Sequence, residues 1–348
     1  MTRVSPVPAD VPISPTQTAI PLTDPELAAR LTERLAVVED ALRGAVASAD
    51  ALADDASRHL VSAGGKLFRP LLVLLAGELG DGARPELVDA AVVVELTQVA
   101  SLYHDDVMDS APVRRGAPSA HTVWGNSVAI LVGDLLFSRA STVVAGLGPE
   151  AVVIQAGTFE RMCLGQLHES LGPVDGADPV EHYLQVLSDK TASLLATSAR
   201  FGAMFGGCSS EVVEAVAAFG EKVGVAFQLA DDVLDIASSG AESGKTPGTD
   251  LREHVPTMPV LLLRSRVARG DAAPGDAELL ALLDSDLSSD HLLERAVEAL
   301  RAHEVLAETR ELAVRWAREA AAELGPLPDG SVKQALSDFA AALADRAS

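Results

Sequence analysis

Aromatic side chains are scarce in this chain: Phe, Trp and Tyr make up 3% of 348 residues, against 48% apolar residues overall. The interior must therefore be assembled from Ala, Leu and Val, a mixture that suits close-packed helices better than a sheet rich in β-branched and aromatic residues. Cysteine is almost absent. Cys163 and Cys208 both sit in apolar helical contexts, which predicts buried free thiols in a reducing compartment and excludes a disulfide framework. Positive charge is also short: 27 Lys and Arg against 50 Asp and Glu leave a net charge of −23, which argues against nucleic acid as a partner. The few basic clusters must then reverse a strongly negative field locally. The uninterrupted apolar runs, such as Leu71 to Gly77 and Ala90 to Val94, read as too short to span a bilayer, so no transmembrane segment is expected. Period-2 alternation is missing as well.

Proline is concentrated at the start. Pro6, Pro8, Pro12, Pro15 and Pro21 occur without a charged-then-apolar order, so residues 1–22 read as a disordered leader and not as a signal peptide. A cytoplasmic protein is expected. Order should begin at Thr23-Asp24-Pro25-Glu26, a capping residue followed by proline in a first helical turn. From there Gly and Pro punctuate one helix after another, predicting a single all-α domain over residues 23–348. Helices are expected at about 25–46, 48–62, 67–79, 84–108, 122–146, 149–170, 179–206, 210–236, 256–268, 276–284, 288–302, 304–324 and 330–345.

Two aspartate clusters of the same shape stand out against this background: Asp105-Asp106-Val107-Met108-Asp109 and Asp231-Asp232-Val233-Leu234-Asp235. Each ends an apolar helical stretch. Positions i and i+4 of a helix project nearly the same way, so Asp105 and Asp109 share a face, as do Asp231 and Asp235. Like charges on one turn repel and weaken the helix unless cations intervene. Hard divalent ions are the natural remedy, and Mg2+ commonly recruits phosphate oxygens to complete its shell. A single such cluster on an acidic chain could be a solvated face; two, each at the end of an apolar helix, point to a metal-bridged diphosphate.

Three basic elements complement them. Gly64-Gly65-Lys66-Leu67-Phe68-Arg69-Pro70 leads a glycine turn into a helix, with Lys66 and Arg69 on one side beside free N–H groups that favour anions. Arg114-Arg115-Gly116 follows the first cluster, either as counter-ions to it or as forks for diphosphate oxygens. Gly244-Lys245-Thr246 follows the second, either as a solvated loop or as a phosphate clamp. By spacing alone Lys190, Thr191 and Gln228 read as surface or capping residues.

Taken together these segments, with Trp124-Gly125-Asn126, Gly133-Asp134, Gly165-Gln166 and Phe227-Gln228, resemble the trans-type isoprenyl diphosphate synthases, specifically their longer-chain polyprenyl branch. The resemblance covers residues 25 to 346 and implies an all-α bundle around a deep central cavity, with the aspartate helices facing each other at its mouth. It implies an enzyme that joins isopentenyl diphosphate head-to-tail to an allylic diphosphate, farnesyl or geranylgeranyl, with three Mg2+ ions held by Asp105, Asp109 and Asp231 and supported by Asp106 and Asp235. Asp232 completes the second cluster. Lys190, Thr191, Gln228, Lys245 and Arg114 match positions that contact the allylic substrate, and Lys66, Arg69 and Arg115 match the isopentenyl site. A homodimer is implied, some members working as heteromers. Two departures are visible: Leu67 stands where an Arg is common, and Gln98 where the long-chain branch often has His, though Gln can still donate a hydrogen bond there. Ala100 and Ser101, five and four residues before Asp105, stand where short-chain relatives place large aromatics. Small residues there predict a product beyond C20, about C30 to C45 by resemblance, with Phe137 or Phe159 as deeper floors. A short-chain synthase, a class I terpene cyclase and a subunit of a heteromeric synthase are the competing readings; the basic clusters and the paired aspartate motifs weigh against the last two.

Overall fold

The computed structural model describes residues 22–238 and 247–345, so the leader up to residue 21 and the Gly244-Lys245 loop lie outside the described residues. The described chain is helical throughout apart from one short hairpin. It divides into two compact units. Unit 1 comprises the described residues up to Phe159 with Thr197–Ala217 and Leu327–Leu336; unit 2 comprises Glu160–Ala196, Ala218–Pro326 and the described residues from Ser337. Most of the division falls inside helices, and one boundary, at Pro326, falls in a loop.

Unit 1 starts with α1 (Pro25–Val46), whose N-cap Asp24 accepts hydrogen bonds from the Glu26 and Leu27 amides while Pro25 fills the first position. Leu27, Leu31, Leu35, Val38, Leu42 and Val46 recur every three or four residues and are all buried. Then come α2 (Ala51–Ser62), α3 (Phe68–Gly77) and α4 (Glu86–Met108). Helix α4 is buried nearly all round from Leu87 to Tyr103, so it is a central helix and not an amphipathic one. Its Tyr103 hydroxyl donates to the Ala56 carbonyl of α2, fixing the helix 47 residues along the chain from its partner.

After α4 the chain forms a hairpin of two-residue strands, β1 (Val113–Arg114) and β2 (Ala117–Pro118). Arg115 and Gly116 make the turn with φ of 53° and 77°, the paired positive angles of a type I′ turn, for which Gly at the second position is favoured. His59 of α2 donates to the Pro118 carbonyl at 2.7 Å and tacks the hairpin down. A single helix is expected over 122–146, but α5 (Ala120–Trp124) is separated from α6 (Asn126–Gly146) by Gly125, whose φ 85° and ψ 160° lie where only glycine is at ease.

Helix α6 also corrects the reading of apolar runs. It is long and apolar enough by length and composition to cross a membrane, with mean hydropathy 1.7, although only 33% of that window is buried. Counting uninterrupted runs misses it because Asp134 and Arg139 divide it. Its buried positions, Ala129, Val132, Gly133, Leu136, Ala140 and Val144, form one stripe, as in a core helix.

Helix α7 (Pro149–Leu171) carries Cys163, which is exposed; Cys208 is half-buried. The expectation of two buried thiols fails because Cys163 lies on the outward side of α7 with the exposed Leu164 and Leu167.

Unit 2 contains α8 (Pro179–Leu187), a π-helical turn (Ser188–Ala192) that breaks the expected single helix over 179–206, α9 (Ser193–Phe205) and α10 (Ser210–Ala237), the last two continuing from one unit into the other. Next come α11 (Thr249–Arg252), α12 (Met258–Arg269), α13 (Asp276–Leu283), α14 (Asp290–Arg301), α15 (Glu304–Glu323) and α16 (Ser331–Ala344). A core of Leu229, Val233, Met258, Leu263, Leu293, Leu300 and their neighbours packs in this unit and includes the buried Tyr183. Arg301 closes the end of α10 by donating to the Ile236 carbonyl at 2.7 and 3.0 Å.

Candidate active site

In unit 1 the glycine turn before α3 builds a pocket. Leu67 sits at φ 46°, ψ 36°, a left-handed conformation that turns the chain sharply into the helix without a side-chain cap. The cavity beside it measures about 390 Å3 and is lined by Gly65, Lys66, Arg69, Glu95, Gln98 and Arg115 among others. Its three cations face one carboxylate. The sequence-derived isopentenyl set of Lys66, Arg69, Arg115 and Gln98 is therefore gathered in one place.

Arg69 Nε is buried with no hydrogen-bond partner among the described residues. Burial holds its guanidinium down to about 10, with Glu95 opposing and Arg115 assisting. Glu95 is 4% exposed and accepts from Arg115 Nη2 at 3.1 Å; Arg115 Nη1 also donates to the Leu60 carbonyl at 3.1 Å. Sequence reasoning missed Glu95. It sits one turn before Gln98, in a run that reads as plain apolar helix.

The hairpin sends its two arginines to different partners. Arg115 serves the pocket, whereas Arg114 Nε donates to Asp106 at 2.6 Å, and Asp106 is fully buried. Burial pushes the Asp106 carboxyl up while Arg114 pulls it back. In this structure Arg114 is thus paired with Asp106, whose carboxylate is turned inward. Asp105, in the last turn of α4, and Asp109, its C-cap, remain at least partly exposed, and that turn carries no basic residue.

In unit 2 the second cluster ends α10 in the same way. Asp232 is 5% exposed; both its oxygens accept from the Tyr183 hydroxyl at 3.0 Å, and one also accepts from the Met258 amide at 3.0 Å. Burial raises its carboxyl well above the usual range. Asp231 and Asp235 are half-buried, Gln228 lies one turn before Asp231, and no basic residue occupies the last turn of α10. Lys190 and Thr191 stand on the π turn, where the Lys190 ammonium is paired with Glu169 of α7. Gln166 donates to Glu169 at 3.1 Å, and its own Oε1 is buried without a partner among the described residues.

The outer aspartates fit a divalent cation. Carboxylates at a helix C-terminus add to the negative end of its dipole, an arrangement that is unfavourable until a cation joins it. Among the described residues no three acidic, His or Cys side chains form a ready cage. An ion here would complete its shell with water and phosphate oxygens, the habit of Mg2+.

The chain-length positions are all in unit 1. Ala100 is fully buried, and Ser101 is half-buried and donates to the Gln98 carbonyl at 2.9 Å. Thr97, one turn earlier, accepts from Gln155 Nε2 at 3.1 Å, a buried polar contact that the sequence did not reveal. The Phe137 and Phe159 rings pack with centroids 4.1 Å apart.

Residues 50–300 match the model of the polyprenyl synthetase family. The chain is 43% identical over 318 residues to a nonaprenyl diphosphate synthase of Mycobacterium tuberculosis, covering 91% of this chain and 93% of that protein. Its fold matches a geranylgeranyl pyrophosphate synthase from Corynebacterium glutamicum, complexed with calcium and isoprenyl diphosphate, at TM-score 0.82 and 40% identity, covering 94% and 99% of the two chains. A decaprenyl diphosphate synthase from Rhodobacter capsulatus matches at TM-score 0.82 and 33% identity, over 93% and 99%. With the arginine-lined pocket and the two acidic helix ends already in place, these likenesses settle the kinship, and the chain belongs to the polyprenyl synthetase family.

Proposed function

We propose that this protein is a divalent-metal-dependent prenyltransferase that adds isopentenyl diphosphate head-to-tail to an allylic diphosphate and makes a long all-trans polyprenyl diphosphate. The observation that carries the reading is the combination, within unit 1, of a pocket holding three cations and an acidic helix end, joined by one hairpin. The synthases among the relatives support the reaction class.

Lys66, Arg69 and Arg115 hold the diphosphate of isopentenyl diphosphate, with Gln98 donating a further hydrogen bond. Asp105, Asp109 and Asp231 would hold the Mg2+ ions, three by the resemblance, whose charge would make the allylic diphosphate a better leaving group. Lys190, Thr191, Gln228 and Lys245 contact that allylic diphosphate. The allylic C–O bond breaks, the isopentenyl double bond attacks the cation, and a proton passes to the departed diphosphate. The cation must be shielded from water, and the Val and Ala side chains before Asp105 provide that lining. Ala100 and Ser101 leave room for the chain to grow. The function also involves a second copy of the chain: Ile130, Leu131, Val152 and Val153 expose large apolar surface on unit 1, as a homodimer interface requires.

Incubating the protein with Mg2+, isopentenyl diphosphate and farnesyl diphosphate, then sizing the products, tests the reading. Products longer than C20 are expected, none in excess chelator, and recovery on adding Mg2+. Ala100→Phe should shorten the product sharply while ionisation continues. Wild-type product ending at C15 or C20 would overturn the long-chain assignment, and full turnover in chelator would overturn the metal.

A further inference from the structure

The π-helical turn Ser188–Ala192 is braced by side chains from two neighbouring helices in unit 2. Its signature is the bond from the Ser193 amide to the Ser188 carbonyl, five residues back. Such wide turns inside α-helical runs are rare, bond less favourably than α turns and often occur at functional sites. This one would relax to α geometry without outside support, and relaxing would rotate Lys190 and Thr191 away from their present direction.

The support comes largely from one side chain. Arg161 of α7 donates from Nε to Asp189 Oδ1 at 2.8 Å, and from Nη2 to the Ser188 hydroxyl at 3.1 Å and the Ser188 carbonyl at 3.4 Å. Its guanidinium is in turn held bidentately by Glu221 of α10, at 2.6 and 3.0 Å, and the Ser188 hydroxyl also reaches Glu221. The Ser193 hydroxyl donates to the Asp189 carbonyl at 2.6 Å. Every contact of Arg161 with the turn therefore lands on the two residues immediately before Lys190.

The backbone agrees. A Cβ at Gly165 of α7 would lie 2.5 Å from the Lys190 amide nitrogen, and a Cβ at Gly224 of α10 would lie 2.3 Å from Ala192 Cα. Two helices thus close on the turn at positions without side chains. A planar guanidinium with five donors can bridge carboxylate, hydroxyl and carbonyl at once, which a lysine cannot.

We infer that Arg161, oriented by Glu221, is a positioning residue that locks the π turn so that Lys190 and Thr191 face the allylic diphosphate. The inference rests on the reading that Lys190 touches that substrate, so the test separates the two. Lys190→Ala should raise the KM for the allylic diphosphate about tenfold and leave that for isopentenyl diphosphate unchanged. Arg161→Ala should do the same, and the double variant should be no worse than Lys190→Ala alone. Arg161→Lys should recover little, whereas Glu221→Gln, which keeps the shape and the Asp189 contact, should fall between wild type and Arg161→Ala. Faster amide hydrogen exchange at Ser193 in Arg161→Ala should accompany the change.

If Lys190→Ala leaves the allylic KM unchanged, the reading of Lys190 fails and the inference falls with it. If Lys190→Ala behaves as expected but the Arg161 effect multiplies with it, or shifts both substrates equally, the inference alone is overturned. Should Arg161→Ala not fold, an unchanged allylic KM in Glu221→Gln and Arg161→Lys together would overturn it as well.

Discussion

The two aspartate motifs end their helices in the same way, yet their middle residues are secured by different chemistry. In unit 1 Asp106 is fully buried against the charged Arg114, which arrives on a hairpin eight residues later. In unit 2 Asp232 is held by a tyrosine hydroxyl and a backbone amide, neither of them charged. In both, the middle carboxylate turns inward and fixes the direction of the outer pair. The motif is therefore built from one buried carboxylate and two that stay nearer the surface, and its three members are not equivalent. The two anchors are not equally satisfied: both Asp232 oxygens accept hydrogen bonds, whereas Asp106 Oδ2 is buried without a partner among the described residues.

If the outer residues work and the middle ones anchor, the largest effects belong to Asp105→Ala and Asp231→Ala. Metal charge stabilises the transition state by several kcal/mol, so each should lower kcat by roughly a thousandfold or more with little change in melting temperature. Near-normal turnover in either variant would break the division of labour.

The anchors should differ from each other in stability. Arg114→Ala leaves Asp106 buried without its cation and should cost about 3 kcal/mol in denaturant unfolding. Tyr183→Phe removes one uncharged donor while the Met258 amide remains, so about 1–2 kcal/mol is expected. Equal costs would show that charge does not distinguish the two anchors.

A smaller and more selective effect is expected at the cation pocket. Gln98→Leu should raise the KM for isopentenyl diphosphate about tenfold and leave the allylic one alone, the value of one hydrogen bond to a charged group. An equal shift for both substrates would make Gln98 structural.

Most of the helical plan was legible because caps and apolar periodicity are local: Asp24-Pro25 starts α1 where expected, and α10 ends within a residue of its expected limit. The aspartate motifs were legible for the same reason. The hairpin was not, since strands of two residues are too short to show alternation. Nor was the π turn, because the run from Pro179 to Phe205 has no glycine or proline to mark a change of pitch until Gly202. The anchoring partners were hidden by distance along the chain: Tyr183 lies 49 residues before Asp232, and Glu95 20 before Arg115. Neighbouring arginines also look alike in sequence, so only the family resemblance, and not spacing, separated Arg114 from Arg115.

That last ambiguity has a consequence for how this region can vary. The hairpin from Val113 to Pro118 sends adjacent, chemically identical side chains to opposite duties, and only pairing register tells them apart. Exchanging the two arginines is invisible, but inserting one residue between Ser110 and Arg114 would carry Arg114 to the pocket and leave Val113 facing the carboxylate, and deleting one would bring Arg115 to the carboxylate and leave Gly116 at the pocket. A library that varies side chains here should yield graded activities. One that varies loop length should yield inactive proteins almost without exception, even though every charge is still present.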